Sequence, residues 1–211
     1  MKKIYMWLFA SLIAFSGCAA TRAHQNIYLG RQAFFIGDYD AAQSYFNDAA
    51  QVDPNYVYGT YYRQGVWSYV GRAEYVKGNL QQAQRDLERA IAADHDVDIA
   101  RLYLGLTLIR KTDREQGLRE IENGMRGIQD WLNYVNFTNP MGFGQFWDPG
   151  SDIRSAIKGD LAMISGKEFN LQELVSNAEW LGKRMEEESD LASKQESMDW
   201  SRDSEGNGET R

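Results

Sequence analysis

The sequence predicts an all-α protein, because apolar residues recur at helical spacing and signals for a sheet are weak. Leu171, Leu174, Val175 and Ala178 follow the spacing of one helix face. The 211 residues include 3 prolines and no long alternation of apolar and polar residues. A small-residue pattern also recurs in the first half, which indicates repeated helix pairs.

Residues 1–17 have the composition of an export signal. Lys2 and Lys3 form a basic start, and residues 4–15 are uncharged and mostly apolar. This run is shorter than the roughly 20 apolar residues that span a bilayer, and small residues follow it, as at a cleavage site. An ordinary leader cut near Ala19 or Ala20 remains an alternative.

Cys18 is the single cysteine, so no disulfide can form within the chain. The residues 15–18, Phe-Ser-Gly-Cys, resemble the lipobox of bacterial lipoproteins, whose cysteine is acylated and becomes the first residue. The resemblance implies that Cys18 carries several acyl chains, among them palmitate. A stable membrane anchor needs more than one acyl chain. In such lipoproteins an Asp after the cysteine retains the protein at the inner membrane. Because Ala19 stands there, the resemblance implies a lipid-anchored protein on the periplasmic side of the outer membrane.

The net charge of −7 excludes some partners. Loss of Lys2 and Lys3 with the leader makes the mature chain still more acidic. Because phosphate contacts need a basic face, we expect no binding to nucleic acid.

Residues 18–130 carry the small-residue repeat. The matched positions are Leu29, Gly30, Gly37, Tyr39, Ala42, Phe46, Ala49 and Pro54; then Val70, Gly71, Gly78, Leu80, Ala83, Leu87 and Ala90; then Leu104, Gly105, Gly117, Ile121 and Gly124. This pattern resembles tetratricopeptide (TPR) repeats, in which small residues let paired helices approach closely. The resemblance implies a right-handed superhelix of about three helix pairs, closed by C-terminal capping helices.

The spacing between the repeats is uneven. Gly71 and Gly105 are 34 residues apart, the length of one TPR unit, whereas Gly30 and Gly71 are 41 apart. We expect the extra residues, 55–61, to lengthen the first helix of the second unit. The third unit is degenerate, with Thr112 in place of the turn glycine.

The TPR resemblance also implies a concave groove that binds a peptide or another ligand. By position its lining residues are Tyr28, Arg31, Phe34, Tyr69, Arg72 and Tyr75. Arg31 and Arg72 share one phase, so we expect two adjacent guanidinium groups able to hold a carboxylate. Alternatively, both arginines pair with local carboxylates such as Asp38 or Glu74.

Residues 131–150 are predicted to be an aromatic, Gly- and Pro-rich loop. A loop of this length in a compact domain is either functional or wrongly assigned. It either folds into the groove and plugs it or presents an exposed aromatic surface to a partner. We favour packing, because exposed aromatic side chains in bulk promote aggregation.

Residues 151–188 are predicted to form two capping helices. Ser151 or Asp152 begins the first, Gly166 ends it, and Asn170 with Glu173 resembles the start of the second. Residues 189–211 are acidic and polar, so we expect a disordered tail.

The sequence lacks the patterns that indicate an enzyme. Its two histidines, His24 and His95, are far apart, and we find no nucleophile elbow, zinc spacing or phosphate loop. We therefore expect no catalytic residue, metal or cofactor. The favoured function is a membrane-anchored scaffold that binds a protein or peptide of the envelope, as an assembly factor or adaptor; the alternative is a lipoprotein that binds a small ligand or a peptidoglycan fragment in an enclosed groove.

Overall fold

The structure, a computed structural model, describes residues 2–93, 98–166 and 170–206, and the side chains within 19–93, 98–166 and 170–198. This part of the chain is almost entirely helical, which confirms the all-α prediction. Its elements are α1 (Lys2–Phe35), α2 (Tyr39–Val52), β1 (Val57–Tyr58), β2 (Gln64–Gly65), α3 (Val66–Val76), α4 (Leu80–Ala93), α5 (Asp98–Arg110), α6 (Arg114–Thr138), a 3-10 helix (Phe143–Phe146), α7 (Asp152–Ser165) and α8 (Leu171–Gly206). Among the described residues, no helix is both long enough and apolar enough to cross a membrane.

The chain divides into two compact units, residues 1–100 and 101–211. The boundary lies inside the segment 18–130, which the sequence predicts as one repeat domain. In the first unit, the core lies between α1, α2 and α3 and includes Ile27, Phe46 and Val70. In the second unit, the fully buried side chains include Leu132 of α6 and Ile157 of α7.

Three helix pairs cross at a small residue. Gly30 packs on Phe46, Gly71 on Leu87, and Gly105 on Ile121. A Cβ added at any of these glycines would lie under 3.0 Å from the opposing side chain. The crossing residues therefore let each pair approach more closely than a side chain at the glycine position would permit.

The turn inside each pair also repeats. Gly37, Gly78 and Thr112 have positive φ values of 82°, 81° and 74°. One residue later, an N–H donates back to a carbonyl of the preceding helix at 2.9 Å in all three turns; the pairs are Asp38 to Ala33, Asn79 to Glu74 and Asp113 to Leu108. This is the hydrogen-bond pattern of a helix that ends on a left-handed residue.

The extra residues of the second repeat form a β-hairpin, so the expected lengthening of its first helix is wrong. Val57 pairs with Gly65 and Tyr58 with Gln64 in antiparallel register. The helix α2 ends before Asp53, whose extended backbone is the conformation that Pro54 favours in the residue before it. The hairpin reverses around Gly59, whose φ is 103°.

The boundaries in the second unit also differ from those predicted. The helix α6 continues to Thr138, through the first part of the expected loop 131–150, because Leu132 and Val135 extend its buried face. The helix α8 continues to Gly206, where a disordered tail from residue 189 was expected. Ion pairs one turn apart at 183–188 and the buried Ala192 support helix there; residues 207–211 lie outside the described part.

The helix α7 begins and ends close to its predicted positions, and α8 begins close to its predicted start. The helix α7 ends at Ser165, followed by Gly166. The side chain of Asn170 accepts hydrogen bonds from the backbone N–H groups of Gln172 and Glu173, at 3.0 and 3.4 Å. Asn170 therefore caps α8 as its sequence position predicts.

Candidate functional site

The predicted groove residues lie on α1 and α3, and most of them are buried. Arg31 is 4% exposed and Arg72 is 3% exposed. Tyr69 and Tyr75 are buried as well, Phe34 is half-buried, and Tyr28 is exposed over 49% of its surface. The expected open groove is therefore covered at the two arginines.

Arg31 is enclosed by aromatic side chains. Its Nη1 donates to the hydroxyl of Tyr58 at 3.3 Å, and its Cζ lies 5.1 Å from the centre of the same ring. The ring of Phe35 lies 5.8 Å from that Cζ. Cation–π contacts of this kind stabilise a desolvated guanidinium by about 2 kcal/mol.

Arg72 has an equivalent environment. Its Cζ lies 5.4 Å from the ring of Phe34 and 5.6 Å from that of Tyr69. Its Nη1 donates to Oε1 of Gln64 at 3.3 Å, and the hydroxyl of Ser68 donates to the same oxygen at 3.4 Å. The hairpin thus supplies a polar partner to each arginine, Tyr58 to one and Gln64 to the other.

A chain of ring contacts joins the hairpin to α1 and α3. The rings of Tyr58 and Tyr69 meet edge to face at 6.1 Å, and His24 stacks on Tyr58 at 5.1 Å. Nδ1 of His24 lies 3.0 Å from the hydroxyl of Tyr56. Burial raises the pKa of Tyr56, and nearby Tyr58 and Asp53 raise it further. A tyrosine phenol is neutral at neutral pH, so the Tyr56 hydroxyl can donate to Nδ1 of His24 or accept from it, depending on the histidine tautomer. We call this group the hairpin cluster: His24, Arg31, Phe34, Tyr56, Tyr58, Gln64, Tyr69 and Arg72.

The two carboxylates proposed as alternative partners of the arginines have other roles. The Asp38 side chain accepts from the N–H of Ala41 and caps α2. The Glu74 carboxylate accepts from Nε2 of Gln43 at 2.6 Å and from Nδ2 of Asn79 at 2.7 Å. Glu74 therefore ties α2 to the turn between α3 and α4.

Sequence reasoning missed Tyr58 and Gln64. Both lie in or beside the inserted segment, which was assigned to a helix, so their contacts with the arginines were not foreseen. Pro54 and Gly59 flank a tyrosine-rich run, and such breakers around β-prone residues are the signal that could have indicated a hairpin.

The aromatic segment of the second unit divides into a buried part and an exposed part. Trp147 is 1% exposed and meets Trp131 edge to face at 4.4 Å. In contrast, Tyr134, Phe137 and Met141 are exposed over 66%, 86% and 90% of their surfaces. Trp147, near the end of the segment, is therefore packed, whereas Tyr134, Phe137 and Met141 form an exposed apolar surface.

A buried ionic cluster holds the end of this segment in place. The Asp148 carboxylate accepts from the N–H of Ile153 at 3.0 Å and from Nε of Arg154 at 2.9 Å. The N–H of Asp148 donates to Glu188 at 2.5 Å, and Glu188 pairs with Arg184 at 2.7 Å. Asp148 thus caps α7 in place of Ser151, which makes no side-chain cap hydrogen bond.

Two surface depressions in the first unit are lined mainly by polar side chains. One, of about 340 Å³, lies between α1 and α2. The other, of about 460 Å³, is lined by Glu74, Asn79 and Gln82, among others. In the described part of the chain, no group of three or more His, Cys, Asp or Glu side chains could hold a metal ion.

No protein-family model matches the chain, and no curated protein matches it either. Function is therefore inferred from the residues and their geometry.

Proposed function

We propose that this chain is a TPR-type scaffold, anchored through acylated Cys18 at the periplasmic side of the outer membrane, that binds a protein of the envelope. The observation that supports it is the repeated geometry of the helix pairs. Each pair crosses at a glycine facing a large apolar residue and turns through a residue of positive φ. Proteins built from such pairs commonly serve as binding scaffolds.

The surface we assign to the partner lies beside the hairpin cluster. Tyr28 and His24 are both exposed and one helical turn apart on α1. His24 continues into the hairpin through its contacts with Tyr56 and Tyr58. Tyrosine side chains are enriched in protein interfaces because they combine a large apolar ring with a hydrogen-bonding hydroxyl.

The alternative, a small ligand or peptidoglycan fragment held by Arg31 and Arg72, has less support. Aromatic rings and the side chains of Tyr58 and Gln64 occupy the space around both guanidinium groups. A ligand could reach them once the hairpin has moved away. An enzymatic role is not part of the proposal.

The proposal is tested by a crosslinked pull-down from membranes with the variant His24→Ala/Tyr28→Ala. The variant should recover several-fold less of a protein partner than the native chain. The matched control is Trp180→Ala, which removes an aromatic side chain of similar exposure, 43%, from the second unit. Circular dichroism must show that both variants melt as the native chain does.

Equal recovery of the same partner by the native chain and the α1 variant would exclude this surface. Recovery of no partner by any of the three proteins would count against the scaffold proposal itself. Retention of a peptidoglycan fragment by the native chain, lost in an Arg31→Gln/Arg72→Gln variant that melts as the native chain does, would favour the small-ligand alternative.

A further inference from the structure

We propose that the exposed tip of α6 inserts into the surface of a lipid bilayer. The tip consists of Tyr134, Phe137 and Met141, three of the most exposed large apolar side chains of the second unit. Their spacing of three and four residues places the first two on one face of α6, with Met141 in the turn that follows. The inference uses the proposed lipid anchor to explain the proximity of a bilayer, but the affinity of the tip does not depend on the anchor.

Charge favours a bilayer as the occupant. From Trp131 to Trp147 the chain contains no Lys, Arg, Asp or Glu, although the whole chain carries a net charge of −7. Asp148, just beyond this segment, is 2% exposed and paired with Arg154. The tip can therefore enter a low-dielectric phase without taking a charge with it.

Polar side chains near the tip donate to backbone carbonyls. Thr138 donates to the carbonyl of Tyr134 at 2.7 Å, and Asn136 donates to that of Leu132 at 2.9 Å. Gln145 donates to the carbonyl of Met141 at 3.2 Å. Because unsatisfied polar groups are costly in lipid, these internal bonds of the polar side chains favour insertion of the tip.

The end of α6 packs closely against the chain that follows it. Gly144 packs so tightly on the end of α6 that a Cβ there would lie within 3.0 Å of the backbone of Val135 and Asn139. The ionic cluster around Asp148 fixes the next turn of chain.

Size separates a bilayer from a protein partner. A stable protein interface needs roughly 20–30 residues on each side, whereas interfacial anchoring needs a few side chains buried about 5–10 Å deep. The tip has three such side chains. Aromatic side chains are also enriched at the membrane–water interface.

The test uses the chain from residue 18 with Cys18→Ser, which carries no acyl group. All buried core residues that the structure describes lie at Ala23 or later, so this chain retains the described cores. We expect it to float with vesicles of phosphatidylethanolamine and phosphatidylcholine. Phe137→Glu/Met141→Glu should lower the partition coefficient at least about tenfold, since two apolar side chains are lost from the bilayer.

The matched control is Ile36→Glu, because Ile36 is 82% exposed in the turn after α1 and lies outside the tip. It should float as the parent does. The proposal is overturned if the parent stays in solution, if both variants float equally, or if both lose flotation. It is also overturned if light scattering shows that the parent is a dimer and the tip variant is a monomer, since the tip would then contact a second copy. None of these flotation results decides the scaffold proposal, which the pull-down from membranes tests separately.

Discussion

The turns inside the three helix pairs each hold one residue in the left-handed backbone conformation, and one of these three turns lacks a glycine. Thr112 has a φ of 74°, close to the values at Gly37 and Gly78. A β-branched residue is disfavoured there by roughly 1–2 kcal/mol because its Cβ approaches the following carbonyl. The fold around the turn, with Asp113 capping α6 through the N–H of Gln116, holds the strained residue in place.

Thr112→Gly should therefore stabilise the protein. We expect a gain of about 0.5–1 kcal/mol, because the relief of strain exceeds the extra freedom that glycine has in the unfolded chain. Thermal melting followed by circular dichroism measures the change. Gly78→Thr, the reverse exchange at the equivalent turn, should lower stability. If Thr112→Gly lowered stability and Gly78→Thr raised it, the two turns would not be strained alike.

Asp160 is a buried carboxylate with one unsatisfied oxygen. Its Oδ1 accepts from Nδ2 of Asn177 at 2.7 Å, and its Oδ2 has no hydrogen-bond partner within the described part of the chain. Burial raises the pKa of Asp160, and Glu173 raises it further against the lowering effect of Asn177. The folded chain thus holds the proton of Asp160 more tightly than the unfolded chain does.

It follows that ionised Asp160 destabilises the fold above its folded pKa, and that this penalty disappears as the pH falls through that value. Asp160→Asn should therefore raise the free energy of unfolding at pH 7 by up to about 1 kcal/mol, and the melting temperature with it. The difference from the native protein should shrink in acid. A gain that stayed constant from pH 7 to pH 4 would mean that ionisation is not its cause.

At the scale of elements, the glycines at the helix crossings set how closely the pairs pack. Gly71 on α3 faces Leu87 on α4, and a Cβ there would lie 2.6 Å from Cγ of Leu87. A helix interior would otherwise favour alanine over glycine by roughly 1 kcal/mol. Packing and propensity therefore oppose each other at this position.

Gly71→Ala should lower the free energy of unfolding by about 1–3 kcal/mol, because α3 and α4 must move apart. The control is Gly159→Ala on α7, where an added Cβ meets nothing within 4 Å and the residue is exposed. It should gain about 0.5–1 kcal/mol from helix propensity alone. Denaturant titration of both variants measures the contrast, and a neutral Gly71→Ala would show that the crossing is loosely packed.

The hairpin has a similar role for α1 and α3. It places Tyr58 and Gln64 on the two arginines, whose burial would be unfavourable without such partners. The hairpin therefore packs against the core of the first unit, and the surface proposed for the partner is the exposed edge at His24 and Tyr28.

At the scale of the whole molecule, the proposed anchor decides where the protein is found. An acidic chain has little attraction to anionic lipids, so the proposed attachment relies on acyl chains and exposed apolar side chains.

In cells, Cys18→Ser should move part of the protein from the membrane fraction to the periplasmic fraction, and Cys18→Ser combined with Phe137→Glu/Met141→Glu should move most of it. The native protein should incorporate labelled palmitate, and density-gradient separation should place it with outer-membrane markers. Retention of the variant in the membranes together with absence of label in the native protein would exclude the lipid anchor.

The sequence by itself determined the helical class, the crossing glycines, the turn positions and the starts of α7 and α8. The helical class and the starts of α7 and α8 follow from local spacing and capping, which are properties of neighbouring residues. The crossing glycines and the turn positions follow from the resemblance to TPR repeats. The tertiary structure alone decided that residues 57–65 form a hairpin, that Arg31 and Arg72 are buried beneath it, and that α6 and α8 extend beyond their predicted ends. A short tyrosine-rich segment suits either a helix or a strand until a partner is available, and the two arginines of α1 and α3 provide that partner.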